Sequence, residues 1–108
     1  MTFEPVPRAF RTVLFNMQVN GGKTVALARL VNAAVGDKPG FLFFDSSQGE
    51  LSARINVLRG DSKGDRIPVV TLDWYFYETY PPELRRRPLV LKIDIEGREI
   101  EALRGAQR

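Results

Sequence analysis

Leu89-Val90-Leu91-Lys92-Ile93-Asp94-Ile95-Glu96-Gly97, followed by Arg98-Glu99-Ile100-Glu101-Ala102-Leu103-Arg104-Gly105, decides how the rest of the sequence is read. The first half is an almost unbroken apolar run, rich in β-branched residues and about as long as a strand. A strand covered on both faces, as in a parallel sheet, carries this composition. Asp94 and Glu96 close the run, and Gly97 suits a tight turn. The second half predicts a short helix with Ile100 and Leu103 on one face and Gly105 as its C-terminal stop. Ligands of open α/β sheets lie outside the carboxyl ends of the strands. A strand that spends its last residues on acids is therefore a candidate site, and two acids spaced i, i+2 share one side of it.

Working outward, the 108 residues make one small domain. Hydrophobic residues at 44% and charged residues at 27% are ordinary for a globular protein and argue against disorder. Cysteine and histidine are both absent. That removes disulfides, thiolate nucleophiles, histidine bases and the usual zinc sites together, and no metal centre is expected. Chemistry is left to carboxylates, hydroxyls, lysine or a bound cofactor. No apolar run reaches membrane-spanning length, and no basic start leads into an apolar core. The expectation is a cytoplasmic protein with no membrane contact. Sixteen basic against thirteen acidic residues give a formal charge of +3. Three of the arginines, Arg85, Arg86 and Arg87, follow Pro81-Pro82 in one loop. A nucleic-acid surface spreads its basic residues along a face with interleaved aromatics, so a solvated loop is the reading and no nucleic-acid partner is expected.

Thr2-Phe3-Glu4-Pro5 reads as the tail of a strand, and Pro7 suits the first position of a helix. Phe10, Val13, Leu14 and Met17 recur at helical spacing, facing a core until Asn20-Gly21-Gly22 ends the helix. Residues 24–35 suit a second buried strand, so the first third is a βαβ unit. Lys38-Pro39-Gly40-Phe41 fits a type II turn with positive φ at Gly40. It would fold residues 41–44 back beside the preceding strand as a hairpin. Residues 45–50 read as a polar loop, 51–58 as a short strand and 60–65 as another loop. Residues 67–70 form a strand whose Pro68 suggests an edge. Thr71 can N-cap a short helix through Asp73-Trp74-Tyr75-Phe76, although residues 69–80 would also pass for strand.

Several blocks match one family in order: Phe3-Glu4-Pro5-Val6-Pro7, Asn16, Asn20-Gly21 and Asn32-Ala33-Ala34-Val35-Gly36-Asp37. They continue with Thr71-Leu72-Asp73, Leu91-Lys92-Ile93-Asp94-Ile95-Glu96-Gly97 and Leu103-Arg104-Gly105-Ala106. Together they resemble the FkbM family of S-adenosylmethionine-dependent methyltransferases across nearly the whole chain. The resemblance implies an α/β, Rossmann-like class I methyltransferase sheet, here incomplete and with a β-hairpin insertion. It also implies S-adenosylmethionine as cofactor and methyl transfer to a hydroxyl of a small molecule or sugar. In such enzymes a glycine-rich turn precedes the ribose-binding acid; in dinucleotide-binding folds that acid lies about 20 residues beyond the glycines. Three residues precede Glu4, so residues 1–108 are expected to be a partial domain that binds the donor poorly alone.

Carried over residue by residue, the resemblance makes Glu4 the acid that accepts the ribose hydroxyls, and an exposed terminal acid is the plainer alternative. Asn32 and Asp37 are candidate adenine contacts, although a turn-forming role explains Asp37 equally well. Asp94 and Glu96 are the candidate catalytic residues. They would orient the acceptor hydroxyl, take its proton or hold a divalent cation; Glu96 could instead only favour the following helix N-terminus. Lys92 shares a side with Asp94, and a structural ion pair between them is expected. Ser46 and Ser47 resemble the family's polar loop on the substrate side. Asp73 reads as a helix-start acid, and Trp74 through Tyr77 as core or subunit contact. The rival function is a non-catalytic, methyltransferase-derived interaction module that self-associates through unpaired sheet edges.

Overall fold

The computed structural model describes residues 1–20, 29–44, 65–85, 87–95 and 97–108. Its elements run β1 (Thr2–Phe3), α1 (Pro7–Asn20), β2 (Leu30–Val31), β3 (Ala34–Val35), β4 (Gly40–Phe44) and β5 (Asp65–Val70). They continue with α2 (Leu72–Thr79), a 3₁₀ turn (Pro82–Leu84) and α3 (Glu99–Arg104). Two compact units divide the chain: Met1–Ala34 with Phe41–Pro68, and Val35–Gly40 with Val69–Arg108. The strands expected at 51–58 and the loops at 45–50 and 60–64 lie outside the described residues.

In the first unit, β1 and β2 pair in parallel, Thr2 opposite Leu30 and Phe3 opposite Val31. Thr2 N donates to Arg29 O at 2.8 Å and Glu4 N to Val31 O at 3.0 Å. A helix joins them in sequence, so the β-α-β order read from the sequence holds. Pro7 opens α1, where its fixed φ suits the helix and its missing N–H costs nothing. Phe10, Val13 and Met17 lie on the half-covered side, but no residue of α1 is buried and Leu14 is exposed.

Residues 24–35 do not form one strand. Over the described part, the chain makes β2, passes Asn32-Ala33 and starts β3 in another sheet. The reason is local: Asn32 turns its amide back onto the chain ahead of α1, which interrupts the ladder. The second sheet has the order β3-β5-β4. This order corrects two expectations. β4 lies beside β5 rather than folding back on β3, and Gly40 has no positive φ because it already belongs to β4. Pro68 sits in the middle strand instead of at an edge. The two-residue β3 flanks a six-residue β5, so a position lacking an N–H can be tolerated there.

In the second unit, Thr71 caps α2, its Oγ1 accepting the Trp74 N–H at 3.1 Å. Leu72 and Ala102 are its buried apolar residues. The largest departure from the sequence reading is at residues 89–95, which are not a strand; Val90 is 94% exposed, and Leu89 and Leu91 are exposed too. Burial of such a run needs a paired strand on each side and cover on both faces, and no described strand pairs with it. The described residues form a mixed α/β arrangement of two small sheets. The helix after the turn forms as expected with Gly105 at its C-cap, but its faces are reversed. Ala102 is 1% exposed, whereas Ile100 and Leu103 face outward. No described helix is long and apolar enough to cross a membrane.

Candidate functional site

Glu4 and Asn32 each follow a strand of the parallel pair, β1 and β2, so both stand at the carboxyl end of the same small sheet. The Asn32 amide nitrogen donates to Glu4 O at 2.8 Å and to Pro5 O at 3.1 Å. Two carbonyl acceptors require a double donor, which an asparagine amide supplies. The Glu4 carboxylate accepts the Val6 N–H through Oε1 at 2.9 Å. Val6 O in turn accepts the Phe10 N–H at 2.8 Å, so Glu4 closes the turn into α1. Among the described residues Oε2 of Glu4 accepts no hydrogen bond. Sequence reasoning placed both residues near a ligand; it missed that Asn32 also anchors the backbone carrying Glu4.

Asp37, the third cofactor candidate, belongs to the other unit. It is exposed, on the bend that follows β3. Gly36 before it donates its N–H to Val70 O at 3.0 Å, fixing the start of that bend to the end of β5.

Asp94 is exposed and pairs with Lys92 at 3.0 Å, as the i, i+2 spacing anticipated. Their side chains are 77% and 83% exposed, so this pair contributes about 0–1 kcal/mol. Glu96, Ser46 and Ser47 lie outside the described residues. Gly97 takes φ +90°, the left-handed conformation that glycine adopts without strain, as its turn role required. Its N–H donates to Glu99 Oε1 at 3.1 Å. Hydrogen bonds from the Glu99 backbone N–H first, and from Gly97 second, hold the Glu99 carboxyl below its ordinary value of 4.5. Glu99 thus serves the start of α3 through the Gly97 N–H; the helix-start alternative for Glu96 lies outside the described residues.

Asp73 does more than begin a helix. Its carboxylate accepts the backbone N–H groups of Gln107 at 2.9 Å and Arg108 at 3.1 Å, and its own N–H donates to Gly105 O at 2.8 Å. A sequence signal existed in the acid two residues after a capping threonine, but its partners lie 34 and 35 residues away. Trp74 and Tyr77 are exposed, while Tyr75 and Phe76 are half-buried. Arg85 donates to the carbonyls of Tyr77 and Tyr80, so one of the three loop arginines is spent on closing the end of α2.

Three comparisons bear on these residues. The family model described as "Methyltransferase FkbM domain" matches residues 1–108. No curated protein matches, and no solved structure does. The match spans the whole chain, so the chain belongs to the FkbM methyltransferase family.

Proposed function

We propose that this FkbM-family chain serves S-adenosylmethionine-dependent methyl transfer to a hydroxyl of a small molecule or sugar, on a Rossmann-like plan. The observation carrying the reading is the parallel β1–β2 pair with Glu4 and Asn32 at its carboxyl end. That is the edge where α/β sheets receive ligands. The residues fit the donor: a carboxylate with one oxygen fixed by Val6 N–H can accept ribose hydroxyls through the other. Asn32 holds the Glu4-Pro5 backbone in place, and Asp37 on its bend would meet the adenine. When bound, the donor supplies an electrophilic methyl group.

The chain's residues have to align the acceptor and manage one proton. Asp94 and Glu96 are assigned that proton, with Lys92 holding the Asp94 carboxylate at 3.0 Å until an acceptor arrives. At saturating donor, Asp94→Asn is expected to slow label transfer from methyl-labelled donor to oxygen by about 10²–10⁴-fold.

The donor reading is tested by titrating the chain with S-adenosylhomocysteine and with its 2′,3′-dideoxy analogue. Binding that is weak, requires the ribose hydroxyls and falls in Glu4→Gln supports it. Equal binding of the two compounds, or an unaffected Glu4→Gln, contradicts it.

A second reading draws on the exposure of Leu89, Val90 and Leu91. It is a non-catalytic module that associates with a second copy of itself through this run. Light scattering decides it: association that grows with concentration and is abolished by Val90→Lys is its expected result. A monomer at every concentration removes it.

A further inference from the structure

Three blocks singled out in the sequence meet in the second unit, and only Asp37 among them has been given a donor contact: Val35-Gly36-Asp37, Thr71-Leu72-Asp73 and Leu103-Arg104-Gly105-Ala106. Gly105 is buried at their meeting point. A Cβ built there would overlap the Gly36 carbonyl oxygen and lie 3.2 Å from both Gly36 C and the Thr71 Cβ. Gly105 has no positive φ, so glycine is required here for closeness and not for backbone conformation. Ala102, three residues earlier on the same helix face and also buried, keeps that face small enough for the approach. Asp73 fastens the arrangement from the other side. Its N–H holds Gly105 O, and its carboxylate holds the next residues at Gln107 and Arg108.

We propose that Gly105, seated by Asp73 against the Gly36 carbonyl, is a positioning residue that sets the bend carrying Asp37. The proposal rests on the reading of Asp37 as a donor contact. Gly36 donates its N–H to Val70 O, and its carbonyl packs against Gly105 where any Cβ would overlap it. With both sides of that residue fixed, the backbone entering Asp37 has little room to move. Losing a hydrogen bond between the donor and a charged side chain weakens binding by roughly tenfold to a hundredfold. The cluster is therefore a device for donor affinity, and Asp73 works through Gly105 without touching the donor.

The test compares Gly105→Ala, Asp73→Ala and Thr71→Ala in the full 108-residue chain. Thr71→Ala removes the α2 cap yet keeps the Cβ facing Gly105, so it controls for simple loss of stability. Amide resonances of Gly36 and Asp37 are followed first, without ligand. They should move in Gly105→Ala and Asp73→Ala and stay in place in Thr71→Ala, with β1 and α1 resonances unchanged throughout. Affinity for S-adenosylhomocysteine should then fall by roughly tenfold to a hundredfold in the first two variants alone. Unmoved Gly36 and Asp37 resonances, or an equal loss in Thr71→Ala, overturn the proposal. Should Gly105→Ala fail to fold, the Asp73→Ala comparison decides by the same criteria. Absence of donor binding by the unsubstituted chain would count against the proposed function, and the resonances alone would then decide on positioning.

Discussion

Asn32 carries two hydrogen bonds to carbonyls that hold Glu4 and Pro5. Removing its amide in Asn32→Ala leaves two part-buried acceptors short of a donor and is expected to cost about 1–3 kcal/mol in urea unfolding. Asn32→Asp should cost more at neutral pH, because a carboxylate brings acceptors to carbonyls that need donors. A milder loss in Asn32→Asp than in Asn32→Ala would contradict the anchoring role. Glu99 gives a pH dependence. Its carboxyl is lowered in the folded chain, so its stabilising contribution is complete above its ordinary value of 4.5 and is lost as pH falls from there through the lowered value. The melting-temperature difference between the native chain and Glu99→Gln should therefore be full above 4.5 and narrow below it. A difference that widens on acidification would show the hydrogen bonds from Gly97 and Glu99 N–H to be absent. Asp94 was legible as a partner for Lys92 from spacing alone, because two residues apart on extended chain is a local relation. Asp73 was not, because its partners Gln107 and Arg108 are set by how α2 and the chain after α3 meet.

Among the elements, α3 shows how a short apolar pattern misleads. Ile100 and Leu103 repeat at i, i+3 and outweigh Ala102 in hydrophobicity, yet Ala102 is the buried one. The face is chosen by Gly105, whose approach to Gly36 admits only small neighbours. Ala102→Leu should therefore destabilise by about 1–3 kcal/mol through overpacking, while Ile100→Ala should fall within about 0.5 kcal/mol of the native chain. Chemical denaturation of the two variants checks the assignment, and the reverse ranking would contradict it. The elements whose signals are contained in their own residues were read correctly: Pro7 at the start of α1, Thr71 capping α2, Gly97 at a positive φ and Gly105 closing α3. Residues 89–95 were not, because burial of a strand on both faces depends on neighbours that the segment does not encode. The order β3-β5-β4 escaped for a similar reason, since a turn-like Pro39-Gly40 says nothing about a strand arriving from beyond residue 64.

At the scale of the whole molecule, the chain divides into two units, and the candidate residues divide with it. Glu4 and Asn32 belong to one; Asp37 and Asp94 belong to the other, and Glu96 lies outside the described residues. The family match spans the residues of both units. Within the first unit the parallel pair carries Glu4 and Asn32 at its carboxyl end. Within the second, Gly36, Asp73 and Gly105 fix the bend that bears Asp37. The central claim is that Glu4 and Asn32, at the carboxyl ends of β1 and β2, receive the ribose side of the donor. It is tested most directly by recording amide resonances while the chain is titrated to millimolar S-adenosylhomocysteine. The account predicts saturable shifts that, within the first unit, are confined to Glu4, Val6 and Asn32 and are lost in Glu4→Gln. Shifts elsewhere with these residues unmoved, or an unchanged pattern in Glu4→Gln, would contradict it.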